Sequence, residues 1–140
     1  MNLNINTGEI RLTINEDPKR VVKFNPRDLR FAEAFYKLLH EFNEKEVEYQ
    51  CRAKEIDARA DGGVEEGIAL LREICEWMRK GIDSVFGKGT SNTVFGDAMS
   101  LEVIFQFLDG VTPFIQEARQ TQLERYMKHG GETPAGAVMQ

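Results

Sequence analysis

Four large side chains recur at intervals of seven along one stretch of this chain: Phe35, Phe42, Tyr49 and Ile56. Ala32, Leu39 and Ala53 sit on a companion seven-residue series, which Glu46 interrupts. A repeat of seven falls on one stripe of an α-helix, whereas in a strand it would alternate between faces. The spacing therefore predicts a helix running to about Arg59, roughly 50 Å long at the α-helical rise. On another face, Glu41–Lys45, Glu48–Arg52 and Glu55–Arg59 are acid-to-base pairs four residues apart. Each supports the helix by ~0.3 kcal/mol and marks its solvent side. Asp61-Gly62-Gly63 ends this helix, since adjacent glycines accept the left-handed backbone of a sharp turn. A second seam follows, Ile68, Leu71, Cys75, Met78, Ile82 and Val85, in alternating steps of three and four. Leu70, Ile74 and Trp77 widen its apolar face, so this helix touches more than one neighbour. Two seamed helices joined by a short link predict an antiparallel hairpin.

The flanking segments complete the expected architecture. Leu3 and Ile5, then Ile10, Leu12 and Ile14, then Val22 and Phe24 alternate with polar residues, the period of a half-buried strand. Asn6-Thr7-Gly8 and Glu16-Asp17-Pro18 are the turn signals between them. Residues 1–24 thus read as a β-meander of two or three strands, a unit that is marginal alone and packs on something larger. Asn25-Pro26 reads as the cap and first residue of the long helix, with Asp28 near its positive end. Gly87 to Thr93 reads as a loop. Asp97 is the expected cap of a short third helix, and Thr112-Pro113 opens a fourth that runs through Leu123 and Tyr126. From Gly130 the chain reads as a flexible tail. The fold class is mainly α: a long antiparallel hairpin plus two shorter C-terminal helices and a small N-terminal meander. Residues 1–129 form one domain, with the meander in 1–24 and the helical body in 25–129.

Length and composition narrow the function classes. A chain of 140 residues, 41% hydrophobic and 29% charged, can bury a core without staples. Its formal net charge of −5, with no run of Lys and Arg, argues against a nucleic-acid footprint. The apolar runs are too short for a bilayer, and the first residues lack the pattern of a signal peptide. A cytoplasmic protein with reduced thiols is expected. Cys51 lies off the seam of its helix and Cys75 on the seam of the other, so no disulfide joins them.

Chemistry is hard to find in these residues. Gly87-Lys88-Gly89-Thr90 resembles a phosphate loop only superficially: Gly89 follows the lysine, and Ile82 stands where the pattern needs a glycine. His40 and His129 make no zinc spacing with the two cysteines. Ser84, Ser91 and Ser100 lack the setting of a nucleophile, and the seam acid Glu46 reads as reaching past a thin part of the hairpin. No catalytic, cofactor-binding or metal site is expected. What remains is apolar surface. Leu101, Val103, Ile104, Phe105, Phe107 and Leu108 point nearly all round a short helix, more than one buried face uses. They read first as a helix covered on two sides. An exposed edge including Phe114 would form a docking groove or self-association surface. The candidate protein-binding residues are accordingly Leu101, Val103, Ile104, Phe105, Phe107 and Phe114. The charged, projecting end of the hairpin is a second candidate.

Three stretches carry a family resemblance: Asn25-Pro26-Arg27-Asp28-Leu29-Arg30-Phe31, Gly67-Ile68-Ala69-Leu70-Leu71-Arg72-Glu73, and Phe86 to Ser91 continuing to Phe95-Gly96-Asp97. They are similar to small proteins from the tail-gene clusters of tailed phages and prophages of Gram-positive bacteria. The resemblance implies a tail assembly chaperone, a helical protein of the host cytoplasm that binds the tape-measure protein, recruits tail-tube subunits and leaves before the virion is finished. It supplies no motif that maps contacts. A structural component of the tail and a regulatory protein-binding module are the alternatives. The free strand edge of the meander and the surplus apolar residues further predict a homo-oligomer.

Overall fold

A computed structural model describes residues 1–128. The elements run β1 (Ile10–Ile14), β2 (Asp17–Phe24), α1 (Leu29–Asp57), α2 (Val64–Phe86), α3 (Thr90–Phe95) and α4 (Leu101–Lys128). The protein is mainly helical with a small antiparallel sheet at its N-terminal end, as the periodicities predict. The expected tail from Gly130 lies outside the described residues.

Among the described residues the sheet has two strands. Asn15 and Glu16 turn the chain, both with positive φ (53° and 61°), the geometry of a two-residue hairpin. Register runs from Ile10↔Phe24 to Thr13↔Val21 and then jumps to Ile14↔Asp17, leaving Pro18 in the irregular part of β2, where its missing N–H costs no ladder bond. Leu3 and Ile5 form no strand and stay exposed. The Asn6 side chain accepts the Gly8 N–H, so the expected turn leads an extended segment into β1. Val22 and Phe24 point inward, onto α2 and α3.

Helix α1 begins three residues later than expected. Asp28 is the cap, its carboxylate accepting the Arg30 N–H at 3.0 Å. Asn25 instead heads a turn that accepts the Asp28 N–H on its carbonyl. The hairpin of α1 and α2 closes through Gly62 and Gly63, both at positive φ. A Cβ on Gly63 would stand 2.6 Å from the Ile56 carbonyl oxygen, so that position admits no side chain. Phe35 and Tyr49 of the predicted α1 seam are buried, with Phe42, Leu39 and Ile56 partly buried against the core. Leu38, outside the predicted seam, is also buried, and Ala53, within it, is exposed. Cys51 is exposed and Cys75 buried, both free, in agreement with their places on and off the seams.

The C-terminal third departs from expectation in detail. Part of the predicted loop is α3, a six-residue helix whose start is tied down by Asp83. That carboxylate accepts the Ser91 N–H at 2.7 Å and the Ser91 hydroxyl at 3.0 Å. The two remaining predicted helices are one, continuous through Pro113. Ile104, Phe107, Leu108, Val111 and Ile115 form one buried stripe across the proline. That burial offsets the ~3 kcal/mol a mid-helix proline costs. The Thr112 hydroxyl donates to the Leu108 carbonyl at 2.6 Å beside the break. Ser100, rather than Asp97, caps α4, its hydroxyl accepting the Val103 N–H at 3.3 Å.

Candidate protein-binding surfaces

Helix α4 is wedged into the body, and its six predicted contact residues divide among its faces. Ile104 and Phe107 belong to the core, at 0% and 8% exposure. Leu101 is half-buried against the same core. Val103, Phe105 and Phe114 are each a little over a third exposed. At 100° per residue, Val103 and Phe114 fall on one flank of the buried arc and Phe105 on the opposite flank. The contacts agree: the Phe105 ring lies 5.8 Å from that of Phe42 on α1, and Phe114 lies 6.2 Å from Phe24 on β2. The expected single patch is therefore two edges separated by a core face.

One of those edges borders a cleft of about 400 Å³ between β1 and α4. Leu12 and Ile14 form one wall, Val103 and Phe107 the other, and Val94 and Phe95 of α3 lie between them. Arg20 ties the sheet to α3 at this cleft. Its guanidinium donates to the Thr93 carbonyl at 3.0 Å and to the Val94 carbonyl, the free carbonyls at the end of α3. Among the described residues β1 pairs only with β2, so its other edge keeps backbone groups unpaired by them beside this cleft.

A second surface lies at the end of the hairpin, where the sequence pointed to charge. Val64, Ile68 and Leu71 are 66%, 62% and 53% exposed, with Ile56, Ala53 and Gly67 lining the same shallow groove of about 380 Å³. The seam spacing predicts Ile68 and Leu71 inside the hairpin, and the structure leaves them exposed. The charged partners of this region sit on the other side of α2, where Arg52 holds both oxygens of Glu73 at 2.8 and 2.9 Å. That bidentate bond holds the Glu73 carboxyl below its usual range and raises the guanidinium of Arg52. A third exposed apolar group, Leu123, Tyr126 and Met127, follows one side of the last turns of α4.

The side chains that could carry chemistry are dispersed. His40 is exposed on α1, 3.9 Å from Glu44. Thr90, in the glycine-rich segment, donates its hydroxyl to the Gly87 carbonyl and so closes a turn. Among the described residues no three His, Cys, Asp or Glu side chains cluster in a way that could hold a metal ion. None of the described helices is long and apolar enough to cross a membrane.

A family model covers residues 19–135 of this architecture, from within β2 through the whole of α4. The chain belongs to the family of unknown function DUF6673. The DUF6673 match takes in the hairpin tip and the α4 wall of the cleft, while β1 lies before it. No curated protein and no solved structure matches the chain.

Proposed function

We propose that this DUF6673 protein is a phage tail assembly chaperone, which holds an apolar segment of the tape-measure or tail-tube protein in the host cytoplasm until assembly replaces it. The observation that carries the reading is the cleft between β1 and α4. Its lining is mainly apolar, with Thr13, Asn15, Arg20 and Gln106 among it, and one rim is a strand edge left unpaired by the described residues. Those two features together suit an extended apolar segment. Backbone hydrogen bonds would supply affinity, and side chains set alternately into the cleft would supply selectivity. The resemblance of Asn25–Phe31, Gly67–Glu73 and the segment around α3 to tail-cluster proteins supplies the partner class.

The test is co-purification of the tagged protein with the tape-measure and tail-tube proteins encoded beside it, using wild type and Val103→Asp. Val103 is exposed enough that the variant keeps its helix content and melting temperature. Retention by wild type and loss by Val103→Asp supports the reading. A protein that captures neither and is instead found in purified virions is a structural component. One that captures neither and is absent from virions is a regulator of something else.

A further inference from the structure

We propose that two copies of this chain associate through the tips of their hairpins, α2 against α2, antiparallel about a twofold axis at Ile68. Helix α2 has two apolar faces. One face, with Leu70, Ile74 and Gly81, packs on α1: a Cβ on Gly81 would meet Leu38 at 2.3 Å. The other, with Cys75, Met78 and Ile82, is buried where α3 and α4 cross it. There Arg79 donates to the Ala98 and Gly96 carbonyls, both at 2.8 Å, and fastens the α3–α4 link onto the helix.

Val64, Ile68 and Leu71 continue this second face in the same steps of three and four. Among the described residues nothing covers them, because α4 starts too far down the hairpin: Phe105, in its second turn, is level with Phe42. The covering layer therefore stops while the seam continues for two more turns. A helix laid on those turns would extend an interface the molecule already makes within itself.

Charge selects the occupant. Glu65 and Arg72 are seven residues apart on the flank of this stripe that faces away from α1, and both are exposed. Their neighbours Glu66 and Glu73 are engaged with Arg59, just past the end of α1, and with Arg52 of α1, whereas Glu65 and Arg72 make no ion pair among the described residues. In an antiparallel pair centred on Ile68, Glu65 meets the second copy's Arg72, and Arg72 meets the second copy's Glu65. A parallel pair would set each against Gly67 or Ile74 on the facing flank and gain nothing. The stripe is thus self-complementary in the sense a twofold interface requires. Gly67, with no atom nearer than 4.0 Å to the Cβ it lacks, keeps the facing flank flat for close approach. Three large apolar side chains per copy make a small interface, so the dimer is reversible, in the micromolar range.

Sedimentation equilibrium of the full chain tests this with a charge exchange. Wild type should dimerise, Glu65→Arg and Arg72→Glu should each weaken the dimer about tenfold, and the double variant should regain most of that loss. Ile68→Asp should leave a folded monomer. In a Cys51→Ser background, Ile68→Cys should form an inter-copy disulfide on mild oxidation, since the axis sets residue 68 against itself. A wild-type monomer at several hundred micromolar overturns the proposal. So does a dimer that the charge exchange and Ile68→Asp leave unchanged, because it would then use another surface.

Discussion

Replacing Gly81 by alanine tests how closely α1 and α2 approach, and Gly110→Ala is the matching control. Both glycines lie within helices, where alanine is favoured by about 1 kcal/mol on backbone grounds. At Gly110 no atom stands within 4 Å of the added methyl, so the whole gain should appear. In a chain of this size it corresponds to a melting temperature about 3–5 °C higher. At Gly81 the same methyl would fall 2.3 Å from one δ-carbon of Leu38 and 3.4 Å from the other. Leu38 is only 4% exposed, so it has no solvent-filled space into which to rotate. Overpacking of this kind costs about 1–3 kcal/mol, which leaves Gly81→Ala about 1 kcal/mol less stable than wild type after the backbone gain. Thermal and urea unfolding of both single variants read the difference in sign. A cycle with Leu38→Ala separates the two contributions. That truncation alone costs about 2–5 kcal/mol, yet it removes the obstructing methyls, so Gly81→Ala should become stabilising in its presence. Stabilisation by Gly81→Ala in the wild-type background, equal to that of Gly110→Ala, would refute the close packing inferred here.

The remaining predictions concern the core, the thiols and acid. Ile104→Ala, at a fully buried position of α4, should cost about 2–5 kcal/mol in urea unfolding, whereas Val103→Ser next to it should stay within about 0.5 kcal/mol. Native protein should react with one equivalent of a thiol reagent at Cys51. Cys75, 1% exposed and with its thiol pKa raised by burial, should react only on unfolding. The Glu73 carboxyl titrates below its ordinary 4.5 in the folded protein because Arg52 bonds it. Its contribution is therefore present above that value and lost as pH falls through the lower folded one. The melting-temperature gap between wild type and Arg52→Gln should be widest near neutral pH and close in acid. A gap that persists at pH 2 would contradict the assignment.

The parts of the fold legible in the sequence are those encoded by local repetition. Phe35 and Tyr49 in one helix, and Cys75, Met78 and Ile82 in the next, declare their faces through spacing alone, and Gly62-Gly63 declares the turn between them. Where the deciding contact lies elsewhere in the chain, local signals mislead. Thr112-Pro113 has the form of a helix start, but burial of Val111 and Ile115 on either side keeps one helix running through it. Gly87 to Thr93 has the composition of a loop, and α3 forms there because Asp83 reaches across from α2 to hold Ser91. Asn25-Pro26 is a good cap pair by residue type, yet the Asn25 side-chain oxygen accepts the Arg27 N–H in a turn that precedes the helix, and Asp28 caps α1 by accepting the Arg30 N–H.

The candidate surfaces show the same boundary between local and non-local information. A run such as Leu101 to Leu108 reveals that apolar side chains point several ways, and the neighbours decide which of them are left over. With α2 and α3 packed over them, Ile104 and Phe107 are enclosed, while Val103, toward the sheet, and Phe105, toward α1, become opposite rims. In α2 the spacing is uniform from Ile68 to Ile82, and nothing in it marks where cover ends. That point is set by the position of α4, which the Arg79 bonds to Gly96 and Ala98 and the Ser100 cap fix part-way along the hairpin. The exposure of Ile68 and Leu71 is therefore a consequence of where another helix starts. A periodic seam outlasting its intramolecular cover needs no special sequence signal to become an interface. It needs only flanking charges that suit its partner, and Glu65 and Arg72 are the residues at which that requirement can be measured.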